Sequence, residues 1–147
     1  MDVIKRNNVN VIGNGQKTLM LAHGFGCDQN MWRFLTPLIS EDYKLVLFDY
    51  IGCGKSDYSC YDKTLYSNLE GYAEDVIDIC QELELSNVTL VGHSVSSIIG
   101  TYASIKAPQY FSDLVMVCPS PCFLNIPPDY VGGFEREDLE ELLNLMD

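Results

Sequence analysis

The sequence predicts an α/β fold in which a mostly parallel sheet is flanked by helices, and three observations predict it. Short continuous apolar runs recur at residues 18–22, 44–48, 88–91 and 114–117, and such runs suit strands buried on both faces of a parallel sheet. Segments able to form helices separate them, and that alternation argues for crossover connections between parallel strands. Finally, 147 residues with 47% hydrophobic content can bury a single core, which excludes a disordered chain.

The elements follow in order. Val9–Ile12 alternates weakly before Gly13-Asn14-Gly15 and reads as an edge hairpin. The first buried strand, 18–22, runs into His23-Gly24-Phe25-Gly26; a helix is expected near 28–38 and a second strand over 44–49. The clearest helix lies near 65–85. Leu69, Tyr72, Ala73, Val76, Ile77, Cys80 and Leu83 recur there at helical spacing and form its apolar face. Glu70, Glu74, Asp75, Asp78, Gln81 and Glu82 form the other face, which is expected to meet solvent. Strands over 88–91 and 113–118 follow, with a helix over 95–106 between them.

Beyond Pro119 the pattern changes. Pro121, Pro127, Pro128, Gly132 and Gly133 mark a loop that leaves the sheet, and a new helix then carries the stripe Leu139, Leu142, Leu143 and Met146, with acids in its first turns. The expected organisation is a core over 1–122 and a linker with one helix over 123–147. The sequence stops at Asp147 with no helix-ending signal, which reads as a chain cut short.

Nine Lys and Arg against 21 Asp and Glu give a net charge of −12, which repels phosphate backbones and anionic lipid surfaces. Neither nucleic acid nor a membrane is expected as a partner. The N-terminus has no apolar run of signal-peptide length, so the expectation is a cytoplasmic protein. The six cysteines contain no C-x-x-C pair, and with only His23 and His93 beside them no zinc spacing arises. They are expected to be reduced and to serve as small buried apolar residues, and no metal or cofactor is expected.

The chemistry is concentrated in Val91-Gly92-His93-Ser94-Val95-Ser96, directly after a buried strand and directly before a helix. That is the setting of a nucleophile elbow: a serine on a sharp turn projects its hydroxyl above the sheet, and amide nitrogens at the helix start face any oxyanion that forms. Gly92 and Ser96 are small, as a close approach of strand and helix requires, although strict G-x-S-x-G has glycine where this chain has Ser96. The plainer alternative makes Ser94 an ordinary helix N-cap. Against it, His23-Gly24-Phe25-Gly26 after an earlier strand matches the loop that supplies a second oxyanion amide. A competing motif, Gly52-Cys53-Gly54-Lys55-Ser56, resembles the tail of a phosphate-binding loop. Its first glycine would fall at Asp49, whose carboxylate opposes phosphate, and the residues after Ser56 do not read as a helix.

These motifs, with Asp49 to Ser56, resemble the α/β-hydrolase superfamily. Phe25 to Gln29, Leu69-Glu70-Gly71-Tyr72, Gly92 to Val95, Val115 to Val117 with Ser120-Pro121, and Gly132 to Glu135 resemble more closely the RsbQ-like family of bacterial stress regulators and plant strigolactone and karrikin receptors. The resemblance implies a hydrolase core and the start of a helical lid over an apolar pocket, acting on a small hydrophobic ester or lactone, with a role in sigma-B stress signalling. It makes Ser94 the nucleophile and Phe25 and Val95 the oxyanion-hole amides, with a small hydrophobic ligand and a signalling protein as partners. In that family serine is followed by acid and then histidine, yet no histidine follows Ser94 here. The chain therefore resembles the N-terminal half of a member and is expected to be inactive alone. Two other readings stay open: a non-catalytic sensor of the same fold, and a general carboxylesterase.

Overall fold

The computed structural model describes residues 2–145. Five strands form one sheet: β1 (Asn10–Ile12), β2 (Lys17–Ala22), β3 (Tyr43–Leu47), β4 (Val88–His93) and β5 (Phe111–Val117), in the order β1-β3-β2-β4-β5. β2 lies parallel to both β3 and β4, and β4 lies parallel to β5. Five α-helices accompany them: α1 (Val3–Arg6), α2 (Thr36–Ile39), α3 (Leu69–Glu82), α4 (Val95–Lys106) and α5 (Arg136–Asn144). No helix among the described residues is long and apolar enough to cross a membrane.

The apolar runs of β2, β3 and β4 are buried because both faces of the sheet are covered there, but the run expected to be buried at 114–117 is not: β5 is the outermost strand, and its Val115 and Met116 are 45% and 41% exposed. Met20 and Ala22 of β2 join Phe48, Val76, Ile79, Leu90 and Ile99 in one cluster, which includes α3 and α4. Between them Leu21 turns to the opposite face and packs with Trp32, Leu45 and Leu47. The all-apolar code thus reflects a sheet with two filled sides.

Several expectations are corrected. Val9–Ile12 does lead to an edge strand, but β1 pairs antiparallel with β3 rather than forming a hairpin with the strand that follows it. The helix expected near 28–38 is a 3-10 turn at Gln29–Trp32, capped by Asp28, followed by the four-residue α2. Pro37 lies in the first turn of α2, where it needs no N–H partner but bars continuation from the preceding turn. Near 65–85, a short 3-10 turn at Leu65–Ser67 is separated from α3 by Asn68, whose extended backbone and side chain cap α3 at Glu70 N–H, 2.9 Å. Among the cysteines only Cys80 is buried, where burial pushes its thiol up to about 12; Cys118 is exposed and the others are half-buried.

Asp75 is the largest departure. Placed by periodicity on the solvent face of α3, it is buried, because α1 covers that side of the helix. Arg6 of α1 pairs with Asp75 at 3.0 Å and with Asp78 at 2.9 Å, while Asn7 and the Tyr66 hydroxyl donate to Asp75 at 3.2 and 3.0 Å. Burial pushes the Asp75 carboxyl up, and the Arg6 charge opposes that shift.

The loop after β5 does leave the sheet. Asn125 organises it: its side-chain oxygen accepts from the N–H groups of Gly132 and Gly133 at 3.0 and 2.8 Å, and its amide nitrogen donates to Glu135 at 2.6 Å. α5 then begins with Glu137 and Asp138 in its first turn. Met146, the last residue of the expected stripe, lies outside the described residues.

Candidate active site

The site forms where the ends of β2 and β4 meet. Ala22 pairs with Gly92, so the loop from His23 to Gly26 and the turn from Gly92 to Ser96 leave the sheet side by side. The turn is as tight as the small residues demand. A Cβ on Gly92 would sit 2.5 Å from the Ser96 carbonyl oxygen and 2.8 Å from the Ser97 nitrogen, both backbone atoms that cannot move aside. Ser94 has φ 56° and ψ −121°, a conformation that is costly for a non-glycine residue and persists only where surrounding structure imposes it. Its N–H donates to the Val117 carbonyl at 2.8 Å, and its own carbonyl accepts from Ser97 N–H at 3.0 Å.

Ser94 occupies the N-cap position of α4, but its side chain makes no capping hydrogen bond. The N-cap alternative therefore accounts for its position and not for its hydroxyl. Ser94 instead lines a cavity of about 400 Å³ together with Phe25, Val95, Phe123, Phe134, Leu139, Leu142 and Leu143. The three residues singled out in the sequence, Phe25, Ser94 and Val95, thus share one cavity, and its remaining walls are apolar side chains from the loop after β5 and from α5. The two loops are in direct contact: a Cβ on Gly24 would lie 3.4 Å from Ser94 Cβ and 2.6 Å from His93 Nδ1.

The two histidines are placed differently. His23 is buried; its Nε2 accepts from the Tyr50 N–H at 3.1 Å, which leaves Nδ1 to carry the proton and donate to the Gly24 carbonyl at 2.9 Å. Burial pushes its pKa below the usual value, so the ring is neutral. The Nδ1 of His93 is buried without a hydrogen-bond partner, against Gly24.

The Gly52 to Ser56 segment folds back on itself rather than forming a phosphate cradle. Ser56 Oγ donates to the Cys53 carbonyl at 2.7 Å and accepts from Gly52 N–H at 3.2 Å. Asp49 fills the centre: its carboxylate accepts from Lys55 N–H, Gln29 N–H and the Asn8 side chain at 2.9, 2.9 and 2.8 Å. Burial opposes the charge of Asp49, but these donors hold its carboxyl below the usual range. What the sequence did not reveal is a buried pair beside the elbow. The Tyr50 hydroxyl lies 3.0 Å from Ser96 Oγ, and Ser96 Oγ donates to the His23 carbonyl. Only the hydroxyl of Ser96 at a position that usually needs mere smallness could have signalled it.

A sheet of this order, with a strained serine between a parallel strand and its helix, defines the hydrolase core of an α/β fold. Residues 17–146 match the family described as alpha/beta hydrolase fold, and the chain belongs to that family. It is 48% identical over 144 residues to karrikin insensitive 2 receptor CA of Petunia hybrida, covering 98% of this chain and 53% of that protein. It is 39% identical over 146 residues to strigolactone esterase D14 of Arabidopsis thaliana, covering 99% and 54%. Among solved structures, a hydrolase from Oleispira antarctica superposes with a TM-score of 0.92 at 59% identity, covering 99% of this chain and 54% of that one. The chain spans about half the length of the curated relatives it matches.

Proposed function

We propose that this chain carries the nucleophile and oxyanion-hole part of a serine hydrolase that cleaves a small hydrophobic ester or lactone. Ser94 is the nucleophile, and the amides of Phe25 and Val95 receive the negative charge that develops on the substrate carbonyl oxygen. The observation that carries this reading is the strained turn at Ser94, with φ 56° and an uncapped hydroxyl, opening into an apolar cavity that Phe25 and Val95 also line. The segment from Phe123 onward, with α5, forms the beginning of a lid whose phenylalanines and leucines select an apolar ligand. No histidine follows Ser94 in these 147 residues; the His23 ring is hydrogen-bonded to the Tyr50 N–H and the Gly24 carbonyl, and His93 Nδ1 is buried against Gly24 with no hydrogen-bond partner. The acid and the imidazole are therefore assigned to the part of the relatives' length that this chain does not span.

A regulatory role, with a signalling protein as partner in the manner of RsbQ-like regulators, is part of the proposal and rests on the motif resemblance. The second reading, a sensor that binds without turnover, is favoured by a different observation: the Petunia relative is named a receptor. One experiment separates them. The chain is co-expressed with the part of the Oleispira hydrolase that it does not cover, and hydrolysis of p-nitrophenyl butyrate is followed. Turnover that disappears in Ser94→Ala supports the hydrolase; turnover that survives Ser94→Ala removes Ser94 from the role. Saturable ligand binding with no turnover favours the sensor.

A further inference from the structure

At the last position of its elbow motif this chain has Ser96, whose side chain is completely buried. A hydroxyl there costs stability unless it finds partners. It finds them in the loop that carries Phe25: Ser96 Oγ donates to the His23 carbonyl, and the Tyr50 hydroxyl donates to Ser96 Oγ at 3.0 Å. Tyr50 engages the same loop again through its N–H, which donates to His23 Nε2 at 3.1 Å, and the His23 ring in turn donates to the Gly24 carbonyl at 2.9 Å. The rings of His23 and Tyr50 also meet edge to face, with centroids 5.0 Å apart. A continuous chain of hydrogen bonds thus joins the ends of β2 and β3 to the first turn of α4.

We propose that Ser96 and Tyr50 are positioning residues that set the placement of the Phe25 amide relative to Ser94. The inference rests on Ser94 being the nucleophile and Phe25 an oxyanion donor. Ser96 lies two residues after Ser94 on the same helical turn, and the carbonyl it holds belongs to the residue two before Phe25. One side-chain bond therefore ties the nucleophile's helix to the donor's loop. Oxyanion donors act by being held in place before the charge develops, and small misplacements cost one to two orders of magnitude in rate. Burial pushes the Tyr50 pKa well above its ordinary value, so its hydroxyl keeps the proton it donates at any working pH.

Two variants of the co-expressed assembly test this: Tyr50→Phe, which removes one oxygen, and Ser96→Ala. Each is expected to lower kcat for p-nitrophenyl butyrate about 10- to 100-fold while KM stays within about twofold, because ground-state binding by the apolar cavity is untouched. The double variant should lose less than the product of the single losses, since both hydroxyls belong to one chain of bonds. A second readout uses the 147-residue chain alone: the 15N relaxation order parameter of the Phe25 amide should fall in both variants and stay unchanged in Leu38→Ala, a truncation of an exposed side chain on α2. A lower melting temperature with unchanged kcat and an equally ordered Phe25 overturns the proposal and leaves Ser96 and Tyr50 as packing. Activity that survives Ser94→Ala overturns the nucleophile reading instead. If the parent assembly hydrolyses nothing, the Phe25 order parameter decides alone: loss of order supports the positioning role, and no change removes it.

Discussion

The cavity at Ser94 is built by two stretches of chain held in different ways. Up to Ala107, strands, helices and loops share a filled core; every buried residue of the described chain lies in that stretch. From Pro108 to Leu145 no described residue is buried: Tyr110, Phe111 and Leu114 pack partly against the core, β5 pairs with β4, and the loop beyond is held by backbone pairs and the side chain of Asn125. Yet the cavity draws Phe25, Ser94 and Val95 from the first stretch and Phe123, Phe134, Leu139, Leu142 and Leu143 from the second. The first stretch thus places Phe25, Ser94 and Val95 on a filled core, while the apolar walls of the cavity come from a stretch with no buried residue.

The contrast can be broken first in the core. Phe48 is fully buried in the cluster beneath α3 and α4, so Phe48→Ala should lose about 3–5 kcal/mol of unfolding free energy. Urea denaturation checks it, and a loss under about 1 kcal/mol would mean that the first stretch is no better packed than the second. The buried ion pair comes next. Arg6→Met strands the carboxylate of Asp75 in a site where Asn7 and Tyr66 remain its only neutral partners, at a cost of about 3 kcal/mol. Arg6→Met combined with Asp75→Leu should recover much of that loss, because removing both charges removes the stranded one.

That ion pair also shows where the sequence was legible and where it was not. Three of the parallel strands, β2, β3 and β4, announced themselves because the sheet is covered on both faces there and each leaves an apolar run; β5 leaves the same kind of run although none of its residues is buried. The elbow did so because its geometry admits only small residues at Gly92 and Ser96 and puts Ser94 between a strand and a helix. Asp75 was misread because its burial depends on α1, a single turn with no periodic signal, folding back over α3 from 68 residues away. The region 28–38 was misread as one helix because its apolar content is real, while Pro37 and the Asp28 cap divide it into two short turns. Tyr50 and Ser96 were invisible for a third reason: a tyrosine after a strand and a serine on a helix carry no mark of a partner 46 residues distant.

A smaller effect concerns His23, which ties the Phe25 loop to β3. Its pKa in the folded protein lies below the ordinary 6.5, chiefly through burial. In the window below 6.5 the unfolded chain therefore binds more protons than the folded one, and stability falls as the pH falls. The slope is at most about 1.4 kcal/mol per pH unit for one such group. Urea unfolding at pH 7.5, 6.5 and 5.5 should show this loss above the range in which carboxylates titrate. His23→Gln should flatten it, and a profile that stays equally steep in that variant would assign the slope to other groups.

The smallest effect on stability is expected where the second stretch meets the cavity. Leu143 is 52% exposed and contributes to the wall above Ser94. Truncation to alanine removes little surface that is hidden from water, so Leu143→Ala should change unfolding free energy by less than about 0.5 kcal/mol. Ligand binding should respond differently, because an occupant of the cavity would cover the half of that side chain that solvent now reaches. Loss of about 1 kcal/mol of apolar contact corresponds to roughly fivefold weaker binding of a neutral fluorescent probe such as N-phenyl-1-naphthylamine. Phe48→Ala, judged only on the fraction that remains folded, should leave the probe's affinity nearly unchanged. If Leu143→Ala instead costs as much stability as a core truncation and leaves the probe's affinity intact, α5 is part of the folded core and the cavity's apolar walls do not select the ligand.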